Sequence, residues 1–279
     1  MFGRVGACGV AAFIVVSTEL FCGHTGVIAG ANALGMMNST PSAQIEAQVP
    51  AENSLHDDAA ATRTKVAAAD PTAPPIKSSA PLEPFGLSTI PWFAGEIFEK
   101  WKTVEADIRA ESNILARCRE NMKNCPPEAQ EFLAIIAAGH AQTGRARIGV
   151  INRAINLKIQ KMSDLKQWGV PDHWSAPLET FRTHRGDCED YAIAKFVALV
   201  ESGVAPEDVK LVVVRDSAAS EGHAVVAAHT DQGWIVLDNR WLALVEDNEM
   251  RRMSPLYLID HTGVRAYVRL PPHYAAAAS

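Results

Sequence analysis

The chain has 279 residues, 48% hydrophobic and 21% charged, with a formal net charge of -6, a composition that suits one globular domain with tails. It contains no Lys/Arg block, which argues against nucleic acid or an anionic membrane surface as partner. Acidity this mild names no partner of its own.

Met1 to Arg4 carries one positive charge, and Val5 to Thr18 is an apolar run of signal-peptide rather than bilayer-spanning length. Ala31-Asn32-Ala33 then reads as a cleavage pattern, so a secretory signal is expected over 1–33, with no membrane insertion once it is removed. An uncleaved anchor competes with this reading but is disfavoured by Glu19 and His24. Glu19 also spoils a lipid-attachment box around Cys22. Residues 34–84 are rich in Ala, Pro, Ser, Thr, Asp and Glu, with no aromatic residue from Asn38 to Pro84. Such a segment cannot bury enough surface to offset its conformational entropy and is expected to be a disordered linker. The folded domain is expected over 85–270, and the tail 271–279 carries no usable pattern.

Within that domain Ile97, Trp101, Val104, Ile108 and Leu115 recur at helical spacing. A second helix with Phe132, Ile135 and Ile136 follows Pro126-Pro127, and a third runs from about Arg145 to Ile159. Cys118 and Cys125 would lie about 10 Å apart on one continuous helix, too far for a disulfide. Asn124 and Pro126 predict that the helix stops and turns back, which lets the pair close. Metal ligation by the same two cysteines is the alternative, without a nearby histidine to complete a set. Of the five cysteines, Cys8 and Cys22 leave with the signal, so Cys188 is the odd one and a candidate reactive thiol. After a loop from Lys161 to Asp172, Ser175 is expected to cap a short helix containing Pro177, Leu178 and Phe181.

Arg185-Gly186-Asp187-Cys188-Glu189-Asp190-Tyr191 leads directly into an apolar helix. Glycine is expected to free the turn, Asp187 to cap, and Cys188 to sit in the first turn, where unpaired amides and the helix dipole favour a thiolate. The spelling Arg185-Gly186-Asp187 is read as chance, since the turn already explains it. Strands follow: Val209 to Arg215, His223 to Thr230, Trp234 to Asn239, Leu256 to Asp260 and Val264 to Val268, expected as an antiparallel meander. Helices followed by such strands make an α+β fold.

A nucleophilic cysteine needs a base and a group to orient it. An even-numbered loop at Thr230 to Gly233 puts His223 and Asp238 on one face, opposite or one diagonal step apart. Val225, Ala227, Trp234 and Val236 share that face and are expected to pack it against the Cys188 helix. His229 is the rival base, beside the turn. A zinc site built from Cys188, His223 and Asp238 is the competing chemistry, lacking a clear fourth ligand.

Trp174-Ser175-Ala176-Pro177-Leu178-Glu179, Gly186-Asp187-Cys188-Glu189-Asp190-Tyr191-Ala192, Gly222-His223-Ala224-Val225 and Leu237-Asp238-Asn239 resemble the bacterial transglutaminase-like cysteine proteinases over about Trp92 to Val268. The resemblance implies a transglutaminase-like (papain-like) fold and a Cys188-His223-Asp238 triad. For the LapG type it further implies a periplasmic, calcium-dependent protease that releases large surface adhesins under an inner-membrane cyclic-di-GMP receptor. Asp187 and Glu189 match its calcium ligands, and Asp190 is a further candidate or a cap. Physically, three carboxylates around a thiolate would repel it unless a divalent cation neutralised them; simple decoration of a helix N-terminus is the plainer reading. The expected partner is a protein substrate at the cell envelope. Acyl transfer to an amine and a non-catalytic calcium-binding module are the alternative functions.

Overall fold

The computed structural model describes residues 83–268. The expected signal, nearly all of the expected linker, and the tail lie outside the described residues. Among these residues the helices α1 (Glu96–Glu120), α2 (Pro127–His140), α3 (Gly144–Lys158), α4 (Asp164–Gln167), α5 (Pro177–Thr183) and α6 (Cys188–Glu201) precede the main run of strands. α1 ends at Glu120 and a single 3-10 turn, Met122–Asn124, brings the chain back. Cys118 and Cys125 are thereby disulfide-bonded, with Cα atoms 5.0 Å apart.

No helix among the described residues is long and apolar enough to cross a membrane. α5 begins at Pro177 with Ala176 as its cap residue, so the expected Ser175 cap is corrected. Its amides are satisfied from another helix: the Glu111 carboxylate on α1 accepts from Leu178 N–H at 2.8 Å and Glu179 N–H at 3.2 Å. Ser175 is one residue too early to cap and instead donates its backbone N–H to Asp190 Oδ1, 2.8 Å away.

The strands are β1 (Ser88–Pro91), β2 (Gln160–Lys161), β3 (Arg185–Gly186), β4 (Val209–Asp216), β5 (Glu221–Thr230), β6 (Gly233–Leu237), β7 (Val245–Glu246), β8 (Met253–Asp260) and β9 (Gly263–Val268). Seven of them form one antiparallel sheet in the order β1-β9-β8-β4-β5-β6-β7. This corrects the expected simple meander. The run β4-β5-β6-β7 is consecutive, but β8 crosses to the other side of β4, leaving β4 central. The separate short pair β2-β3 is parallel and ties Gln160 to Arg185, just before α6.

α6 is buried almost all round, its apolar residues packing with Ala224, Val226, Ala228, Ile235 and Leu237 of the sheet in one core. Val225, Ala227, Trp234 and Val236 instead join Val212, Val214, Met250 and Met253 in a second core. The expectation that these four pack against the Cys188 helix is therefore corrected. β5 and β6 are covered on both faces, so both alternating sets are apolar and alternation alone carries no information about which one meets the helix.

Candidate active site

Asp187 caps α6 in a capping box: Asp190, at the third helical position, reaches back to the Asp187 N–H at 3.3 Å. Gly186 has no positive φ, so turn freedom is not its role. A Cβ there would meet Asp190 Oδ2 at 2.5 Å and its Cβ at 2.6 Å, and glycine is needed to let that carboxylate pack. One turn on, Tyr191 donates its hydroxyl to Ile159 O. Together with β2-β3, these contacts fix the direction in which α6 starts. Cys188 is its first residue, buried, with Sγ 3.1 Å from Glu189 Oε2.

Around this helix mouth the chain gathers more acid than the local sequence displays. Carboxylate oxygens of Asp164, Asp187 and Asp190 lie within 4.8 Å of one another, as do those of Asp164, Asp172 and Glu189. Asp164 and Asp172 were not singled out in the sequence because they lie in the segment expected to be a loop; their signal is the short α4, which turns Asp164 inward. Asp172 pairs with Lys100 of α1, and Asp164 accepts the His173 backbone N–H.

Burial pushes Asp187 up to about 6. It also raises Glu189 and Asp190 well above the carboxylate range, reinforced by the Asp187 charge. Burial raises Asp164 as well. One carboxylate oxygen each of Asp164 and Asp187 is buried without a hydrogen bond. Converging buried oxygens with orphaned acceptors suit a hard divalent cation, whose charge would remove their mutual repulsion. Cys188, His223 and Asp238 belong to neither carboxylate group.

β5 and β6 pair Val226 with Leu237 and Thr230 with Gly233, a register that puts Asp238 one diagonal step from His223. His223 Nε2 and Asp238 Oδ1 are 3.0 Å apart, and both side chains are buried. Burial alone would raise the Asp238 carboxyl, but the hydrogen bond from His223 and the charges of His223 and Arg240 outweigh it and hold the group far below the ordinary range. Asn156 of α3 fixes the backbone beyond by donating to Asp238 O at 2.9 Å. Lys195, near the middle of α6, is fully buried and makes no hydrogen bond through Nζ. Burial lowers it to about 7, against the pull of Asp238. The rival base, His229, sits six residues along β5, about 20 Å from His223, where it pairs with Asp208 at 3.5 Å and stacks on Trp234.

A cysteine at a helix mouth and an imidazole held by a carboxylate are residue types that cysteine hydrolases use. The model of the bacterial transglutaminase-like cysteine proteinases matches residues 110–250, half of the chain. The chain belongs to this family. Bacterial transglutaminase-like cysteine proteinases are cysteine peptidases, and the mixed helices and antiparallel sheet described above are this fold. No curated protein sequence matches the chain. Among solved structures it is similar to Legionella pneumophila LapG, at 17% identity and a TM-score of 0.47, over 60% of this chain and 92% of that one. An EGTA-treated form of LapG from the same organism has 18% identity and a TM-score of 0.47, over 56% and 84%. A calcium-bound form has 17% identity and a TM-score of 0.38, over 52% and 96%.

Proposed function

We propose that this cysteine peptidase is exported to the periplasm, works through Cys188, His223 and Asp238, and depends on calcium held by Asp187, Glu189 and Asp190 with Asp164. The observation that carries the triad is the buried His223 Nε2 to Asp238 Oδ1 contact of 3.0 Å. Asp238 fixes the imidazole through Nε2, so proton exchange falls to Nδ1. The Cys188 thiol gives its proton to His223, and the thiolate attacks a peptide carbonyl, with backbone amides at the start of α6 stabilising the oxyanion. His223 returns the proton to the leaving amine. A thioester remains, and water, deprotonated by His223, releases the acid and regenerates the thiol. Calcium would supply positive charge that keeps the neighbouring carboxylates ionised and the helix mouth ordered.

The substrate on this reading is a protein of the cell envelope. A large surface adhesin is the substrate class suggested by the resemblance, with a cyclic-di-GMP receptor as regulator. Incubating a bacterial envelope fraction with the protein, calcium and a fluorescent primary amine tests hydrolysis against acyl transfer. The expected products are new free N-termini without amine incorporation. Amine attached to glutamine side chains without chain cleavage would contradict the peptidase reading.

A further inference from the structure

Asp238 is held by more than His223. Arg240, two residues on, places Nε 3.3 Å from Asp238 Oδ1 and 3.2 Å from Oδ2, and Nη2 3.2 Å from Oδ2. Its backbone N–H donates to Oδ1 at 2.9 Å. The remaining arm, Nη1, reaches 2.8 Å to Asp216 Oδ2 at the end of β4. Asp216 is itself steadied by the Ala218 N–H on its other oxygen, 2.9 Å away. The guanidinium also lies over the Trp241 ring at 5.5 Å. A planar fork engaged on several sides fixes a carboxylate in a way a single hydrogen bond cannot.

We propose that Arg240, anchored by Asp216, is a positioning residue for the catalytic pair: it sets the Asp238 carboxylate and shares its charge with His223. The proposal rests on the triad reading above. Asp216, Arg240, Asp238 and His223 form one line of alternating charge running from β4 through the loop after β6 to β5. The Asp238 charge acts on Lys195 of α6, and Cys188 with Glu189 lies at the mouth of the same helix. Because guanidinium does not titrate in the working range, the orientation it imposes holds at every pH at which the imidazole works. Because part of the Asp238 charge is engaged by Arg240, the imidazolium is stabilised less than it would be by an unshared carboxylate.

The test is the titration of His223 by histidine-ring NMR in the full chain in calcium buffer, with its signal identified by His223→Gln among the nine histidines. Arg240→Gln should raise the His223 midpoint by about 0.5–1 unit, and Asp216→Asn, which leaves Arg240 wholly to Asp238, should lower it. Arg240→Lys keeps the charge but not the planar fork and should fall between wild type and Arg240→Gln; if the glutamine variant fails to fold, the Asp216→Asn arm carries the test. An unmoved or lowered midpoint in Arg240→Gln, or a raised one in Asp216→Asn, overturns the proposal. The readout needs no substrate, so it separates the two readings. An unmoved midpoint alongside Cys188-dependent cleavage removes the clamp alone, and a raised midpoint alongside cleavage by Cys188→Ala removes the peptidase mechanism alone.

Discussion

Asp164 and Asp187, from different turns of the chain, bring buried carboxylate oxygens within 4.8 Å of each other at the mouth of the Cys188 helix. Without a cation, such groups hold their protons more tightly folded than unfolded. The cation-free protein therefore loses stability as pH rises from the ordinary carboxylate value near 4 through about 6, where Asp187 titrates. A bound cation reverses the sign, because it needs the carboxylates ionised. Calcium should raise the melting temperature over an EGTA-treated sample, by an increment that grows between pH 4 and 7. Calorimetry on Asp164→Asn and Asp187→Asn should show calcium affinity reduced by about tenfold or more; wild-type affinity in both would remove the site.

Asp238→Asn should keep the fold but leave the imidazole wrongly oriented, cutting kcat/KM about a thousandfold. His229→Ala, on a ring paired with Asp208 at the far end of β5, should stay within about twofold of wild type. Equal losses in the two variants would mean that the base has been misassigned.

Lys195 has a depressed folded value of about 7 against an ordinary value of 10.5. Between those values the unfolded chain binds the extra proton, so stability contributed at this site rises with pH. The cost of the buried charge is fully present below about 7 and disappears above about 10.5. Lys195→Met should therefore stabilise the protein most below neutrality and flatten the denaturation midpoint between pH 7 and 10. A variant that follows the wild-type pH profile would contradict this.

Glu111→Ala removes the acceptor that α1 lends to the start of α5. Loss of a cap costs about 1 kcal/mol, readable as a lower urea midpoint with an unchanged slope. A wild-type midpoint would show that water serves those amides equally well.

Much of this architecture was legible from periodicity and breakers. Ile97 to Leu115 mark α1, Asn124 and Pro126 mark its end, and the Thr230–Gly233 turn sets the register that brings His223 to Asp238. Other features were not legible, and three of them show the physical reason. The alternation of β5 could not say which face meets α6, because both faces are buried. Asp164 and Asp172 lie in a segment with little period, and only tertiary packing turns them toward Asp187 and Glu189. Gly186 looked like a turn glycine, whereas it is the Asp190 carboxylate pressed against it that excludes a side chain.

The most direct measurement compares new protein N-termini in a bacterial envelope fraction treated with wild type, Cys188→Ala or His223→Ala, each with calcium and with EGTA. New termini are expected only from the wild type with calcium. The same termini from Cys188→Ala would contradict the assignment of Cys188 as the nucleophile.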